Sequence, residues 1–225
     1  MNDLETRRYE MMTRVRDYGA TQTASFPPTS LGGEQFVIVG AAVEELQRHA
    51  SAQTSGAGTA RQGSTSRANA RAALREDLQA ITRTARVLAL DVPGLESKFR
   101  LPRSGSDPAL LNTARAFLAD AEPLKTDFIR HELPADFLDD LAADIEKFER
   151  AINSQHTGKD THVAATAAID DALERGLKAV QRLDVIVRNK FHDDPAALAA
   201  WTSASHVARA PKHKPVTPQP SAPSA

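Results

Sequence analysis

The chain has no cysteine among its 225 residues, so a disulfide framework, a thiolate nucleophile and a cysteine-based zinc site are excluded. Aromatic residues are scarce, at 5%. Alanine is abundant instead, which suits close helix–helix packing and suits a sheet poorly. No run of about 18 apolar residues occurs, so no transmembrane span is expected. The first residues, MNDLETRRYEMM, mix acids and bases where a secretion signal needs a basic start followed by an apolar stretch. A cytoplasmic location is the expectation. Net charge of either sign is also missing, with 28 basic residues against 29 acidic ones. The broad positive field of a dedicated nucleic-acid binder is therefore absent, and nucleic acid is an unlikely partner.

The charges are nonetheless unevenly spread. From Arg61 to Arg103 there are nine basic residues and four acidic ones, whereas residues 104–171 carry fourteen acidic and six basic. Such asymmetry predicts that the two stretches face each other.

What is present is helical periodicity. Leu4, Met11, Val15 and Tyr18 share a face of a first helix, near residues 2–18, stopped by Gly19. A second segment starts near Gly33, with Phe36, Val39, Val43 and Leu46 in register. Residues 51–66, SAQTSGAGTARQGSTS, have three glycines and little apolar bulk, and read as a flexible connection. Leu74, Leu78, Ile81, Ala85 and Leu88 then form a coiled-coil-like seam. Asp107-Pro108 reads as an N-cap with proline at the first helical position, opening a helix over about 108–131 that kinks at Pro123. Further helices are expected near 135–155, ending at Gly158, and near 161–191, with a short one launched by Asp194-Pro195. The proline-rich end, 209–225, has nothing to bury and reads as a disordered tail. The expected fold is all-α: a single antiparallel bundle over 1–208, of about six helices built on a four-helix core.

On a wheel of about 100° per residue, Arg67 and Arg71 fall in the arc of Leu74, Leu78 and Ile81, and Asp184 falls between Val180 and Val187. A buried carboxylate is costly unless paired, so Asp184 should meet an arginine or several neutral donors. A structural pair that fixes helix register is the plain reading, and a functional acid lining a cleft the sharper one. Arg61, Arg67, Arg71, Arg75, Arg83 and Arg86 could form a phosphate-binding stripe, since guanidinium matches phosphate bidentately. The plainer alternative pairs them with the acidic helix bearing Asp139, Asp140, Asp144, Glu146 and Glu149.

Glu45/His49 and Asp127/His131 have the i, i+4 spacing of possible metal ligands, but neither Glu-x-x-His nor His-Glu-x-x-His occurs, so no metal is expected. The glycines near 56–63 lack the strand and the Gly-Lys-Ser/Thr of a phosphate loop. Ser203, Ser205 and His206 near Trp201 lack the elbow and third group of a hydrolase, and Trp201 reads as an end-cap of the core. No catalytic set and no cofactor is indicated. The expectation is a non-enzymatic interaction or scaffold protein, open to self-association. A ligand-binding or enzymatic bundle with a polar site at Asp184 and a nearby arginine is the alternative, and weak nucleic-acid binding through Arg61–Arg86 a third. Candidate binding residues are Arg67, Arg71, Arg75 and Asp184.

Overall fold

A computed structural model describes residues 1–103 and 105–210. Every regular element among them is helical: α1 (Asp3–Thr21), α2 (Leu31–Leu88), α3 (Leu95–Lys98), α4 (Asp107–Ala121), α5 (Lys125–Arg130), α6 (Phe137–Lys190) and α7 (Pro195–Ser205). A 3-10 turn, Glu122–Leu124, joins α4 to α5 at the proline where a kink was expected. The all-α class is observed, and α3 is a single turn beside six longer helices. No helix among the described residues is long and apolar enough to cross a membrane. The expected tail lies outside the described residues from 211 onward.

Local chemistry accounts for the helix starts. Asn2 accepts from Glu5 N at 2.9 Å while the Glu5 carboxylate accepts from Asn2 N at 2.7 Å, a capping box for α1. Asp194 caps α7 by accepting from Ala197 N at 3.0 Å, with Pro195 at the first position. At α4 the sequence expectation fails by one residue. Ser106 is the cap, and Asp107 is the first helical residue. Its carboxylate is thereby free for other partners.

The larger departures concern residues 51–66 and Gly158. Neither the flexible connection nor the stop exists as read, because α2 runs unbroken through 51–66 and α6 through 158. The glycines are helical because two backbones meet there. A Cβ on Gly56 would lie 2.8 Å from His162 N, one on Gly63 2.7 Å from Gln155 N, and one on Gly158 2.5 Å from Ala60 N. These pairs run in opposite order along the two helices, so α2 and α6 are antiparallel there. The roughly 1 kcal/mol of helix propensity lost at each glycine is offset by contacts that only a missing side chain allows.

The chain divides into two compact units, where the sequence suggested a single core. Unit 1 comprises Met1–Ser51 with the described residues from Ala165 on. Met11, Met12 and Val15 of α1, Val39, Val43 and Leu46 of α2, Leu173, Leu183 and Val187 of α6, and Trp201 of α7 fill its core. Unit 2 comprises Ala52–Ala164. Leu74, Leu78 and Ile81 of α2 pack there on Phe99, on Leu110 and Phe117 of α4, on Phe128, and on Leu141 and Phe148 of α6. Phe99 meets Phe117 and Phe128 edge-on, at 5.3 and 5.6 Å between ring centres.

Candidate functional site

Unit 2 contains an open cleft of about 800 Å³ between the 64–71 stretch of α2, the start of α4 and the 152–159 stretch of α6. Its apolar lining includes Leu111, Ile152 and Pro108, and Arg67, Arg71, Arg115 and Lys159 supply positive charge. The volume falls within the usual range for metabolite sites.

Asp107 organises the cleft. It is only 8% exposed, and its two carboxylate oxygens accept separately from Arg67 Nε and Arg71 Nη1. Arg67 also donates from Nη1 to Gln155 Oε1 at 3.0 Å, and Arg71 from Nη2 to Gly105 O at 2.7 Å. Among the described residues, each guanidinium has one nitrogen left without a protein acceptor: Nη2 of Arg67 and Nε of Arg71. Arg115 donates to Glu149. Lys159, His156, Asn112 and Ser64 also line the cleft, and their side chains have no hydrogen-bond or ion-pair partner among the described residues. Four permanent cations thus stand against two carboxylates, those of Asp107 and Glu149.

Arg67 and Arg71 are brought together, but not in the core. The buried seam of α2 runs through Ala70, Leu74 and Leu78, and each arginine sits beside it, half-buried. The acidic partner also differs from expectation. Asp107 neutralises the pair, whereas Asp144 lies 3.8 Å from Lys147, Glu146 bonds Arg150 at 3.2 Å, and Glu149 alone of the five reaches an arginine of another helix among the described residues. Arg75 points to the loop that follows α3, with Nη2 at 3.5 and 3.4 Å from the Pro102 and Arg103 carbonyls.

Asp184 belongs to unit 1 and is no core residue: its side chain is 42% exposed. The buried seam of α6 passes through Val180, Leu183 and Val187, spaced three and four apart, and a seam of that spacing places Asp184 on its flank. Arg188 Nε donates to both carboxylate oxygens at 3.0 Å, and Trp201 Nε1 donates to Oδ1 at 2.8 Å. Hydrogen bonding by Arg188, partly opposed by desolvation and reinforced by Trp201, holds the carboxyl below its usual range. The residue anchors α7.

Glu45 bonds Arg175, and His131 Nδ1 donates to the Asp127 carbonyl at 2.8 Å. No group of three or more histidines or carboxylates suited to a metal occurs among the described residues. Sequence reasoning missed Asp107, Arg115, Gln155, His156 and Lys159. Asp107 was hidden by its resemblance to a cap, and the α6 residues by the stop assigned to Gly158. No family model, curated protein or solved structure matches this chain. A helical fold by itself names no activity, so function is argued from the cleft.

Proposed function

We propose that unit 2 is a non-enzymatic binding module whose cleft takes a small anionic molecule, a phosphate or carboxylate carried on an apolar body. The observation that carries this reading is the excess of fixed positive charge around a metabolite-sized cleft with an apolar lining. Arg67 Nη2, Arg71 Nε and Lys159 supply donors for the anionic group, and Leu111 and Ile152 supply the surface for the apolar body.

The test is a melting-temperature and calorimetric titration with phenyl phosphate, benzoate and the neutral analogue benzyl alcohol. A ligand that binds only the folded state stabilises it by about 2.7 kcal/mol at one hundred times its Kd. The anions should raise the melting temperature and benzyl alcohol should not. Lys159→Ala and Arg115→Ala, both at exposed residues, should weaken the effect while leaving the unliganded melt nearly unchanged. Equal responses to the anions and benzyl alcohol, or no response to any of them, would overturn the reading.

A further inference from the structure

The cleft of unit 2 is lined by α2, α4 and α6, and the register of the two long helices fixes where its free cations converge. Gly56 approaches His162, Ala60 approaches Gly158 and Gly63 approaches Gln155, an antiparallel register. The same register sets Lys159 level with Thr59, eight residues before Arg67. That separation is about 12 Å along the axes, at about 1.5 Å per residue. Side chains tilt toward the N-terminus of their own helix, so across an antiparallel pair Arg67 and Lys159 lean toward each other. They converge where Gly63 meets Gln155, and Arg67 Nη1 indeed reaches Gln155 Oε1 at 3.0 Å. Ser64 and His156, next in sequence to Gly63 and Gln155, line the cleft at the same level.

Positive charge is left over at this point. Asp107 holds Arg67 and Arg71 side by side, Glu149 holds Arg115, and Lys159 has no ion pair among the described residues. The four cations exceed the two carboxylates by two charges.

We propose that the anion is a dianionic phosphate monoester seated between Arg67 and Lys159, with its apolar body over Ile152 and Leu111. This rests on the cleft being an anion site, and it names the anion. A phosphate monoester carries about 1.5 to 2 negative charges at neutral pH, which matches the excess. A carboxylate or a phosphate diester carries one, and leaves a cation uncompensated. Donor placement points the same way. Arg67 Nη2 and Arg71 Nε belong to α2 and Lys159 to α6, so donors come from both walls of the cleft and suit three tetrahedral oxygens better than two coplanar ones. Ile152 is one turn of α6 from His156, on the side away from Lys159, where the body continues.

Calorimetric titration of the full chain with phenyl phosphate, phenyl sulfate and benzoate tests this. Phenyl sulfate keeps the tetrahedral shape and three terminal oxygens with one charge fewer. At about pH 8, where the monoester is dianionic, phenyl phosphate should bind about fivefold or more tighter than either, the effect of one further charge at about 4 Å in bulk water. At about pH 5 the phosphate is a monoanion, its second pKa being about 6, and its advantage over the sulfate should shrink toward nothing. Any protonation of His156 acts on both ligands and drops out of their ratio. Lys159→Ala should lower the ratio in alkali and Lys159→Arg should keep it, with melting curves confirming that both are folded. Equal affinities for phosphate and sulfate in alkali, a ratio that does not change on acidification, or a wild-type ratio in Lys159→Ala would each overturn the proposal and leave an anion cleft standing. No binding of any of the three would remove the anion site along with it.

Discussion

Trp201 donates its indole N–H to Asp184 across the α6–α7 corner of unit 1, at 2.8 Å. Trp201 is fully buried, stacked edge-on against Tyr18 at 5.4 Å and Phe36 at 6.4 Å, so this bond satisfies the one polar atom of a large apolar side chain. Asp184→Ala removes the acceptor and should cost about 1 kcal/mol. Trp201 is the only tryptophan, so its fluorescence reports the corner directly. Because the folded carboxyl titrates below its usual value, its contribution is complete above the ordinary carboxylate range and is lost as pH falls through the lower folded value. The emission should hold steady through weak acid and shift only below that range. A shift already at weakly acidic pH would show that Asp184 does not hold the indole.

The Asp107 carboxylate has two opposing consequences. It pins Arg67 and Arg71, and it also competes with any anion entering the cleft. Asp107→Asn should lower stability by about 1 kcal/mol, because both arginines are half-exposed and solvent screens the pair. The same variant should bind the anionic probes more tightly, since two guanidinium groups lose their internal counter-ion. Calorimetry on the variant checks both signs. Weaker binding by the folded variant would show that Asp107 positions the arginines for the ligand rather than competing with it.

The fold class was legible because apolar residues recur at helical spacing and nothing in the chain favours strands. The residues that matter most were harder to read. Gly56, Gly63 and Gly158 look like breaks until the opposite helix is in view, since a glycine that costs helix propensity and one that admits another backbone are the same letter. Arg67 and Arg71 do come together, but beside the seam and not in it, on a partner 40 and 36 residues away, and Ser106 beside that partner takes the capping role expected of Asp107. For Asp184 the arc read from Val180 and Val187 is mis-centred: Ala179 and Leu183 are buried and Leu177 only partly so, which shifts the seam and leaves Asp184 on its flank.

The glycines of the α2–α6 contact provide a matched comparison. A Cβ on Gly58 would have nothing within 4 Å, whereas the same atom on Gly158 would lie 2.5 Å from Ala60 N. Gly58→Ala should raise stability by up to about 1 kcal/mol through helix propensity alone. Gly158→Ala should lower it despite the same propensity gain, because backbone has to move. Thermal melts of the two variants decide this, and a stabilising Gly158→Ala would mean that the helices do not touch there.

Tyr18 has a buried hydroxyl with no hydrogen-bond partner among the described residues, and burial, followed by the charge of Asp194, raises its pKa above the ordinary phenol value. An unpaired buried polar group costs about 1–3 kcal/mol, so Tyr18→Phe should leave the melt at neutral pH unchanged or higher. In alkali the unfolded chain releases this proton first, so stability falls as pH rises from the ordinary phenol range through the folded value. The phenylalanine variant should lose that part of the alkaline destabilisation. A lower neutral melt for the variant would instead reveal a partner for the hydroxyl in solution.

Asp77 gives a second pH signature, of opposite origin to that of Asp184. Desolvation and the nearby charges of Asp144, Asp140 and Glu76 push its carboxyl up to about 6. The folded chain therefore holds this proton more tightly than the unfolded one, and stability is greatest below the ordinary carboxylate value and declines as pH rises through about 6. Above that pH the ionised group opposes folding. Asp77→Asn, which keeps the shape and removes the charge, should raise stability at neutral pH by about 1 kcal/mol after allowance for solvent screening and for Lys147 beside Asp144. The advantage should shrink on acidification and vanish once Asp77 is protonated in both folded and unfolded chains. Melting curves of the two proteins across that pH interval measure the difference, and a gap that stays constant with pH would show that Asp77 is not the group that titrates.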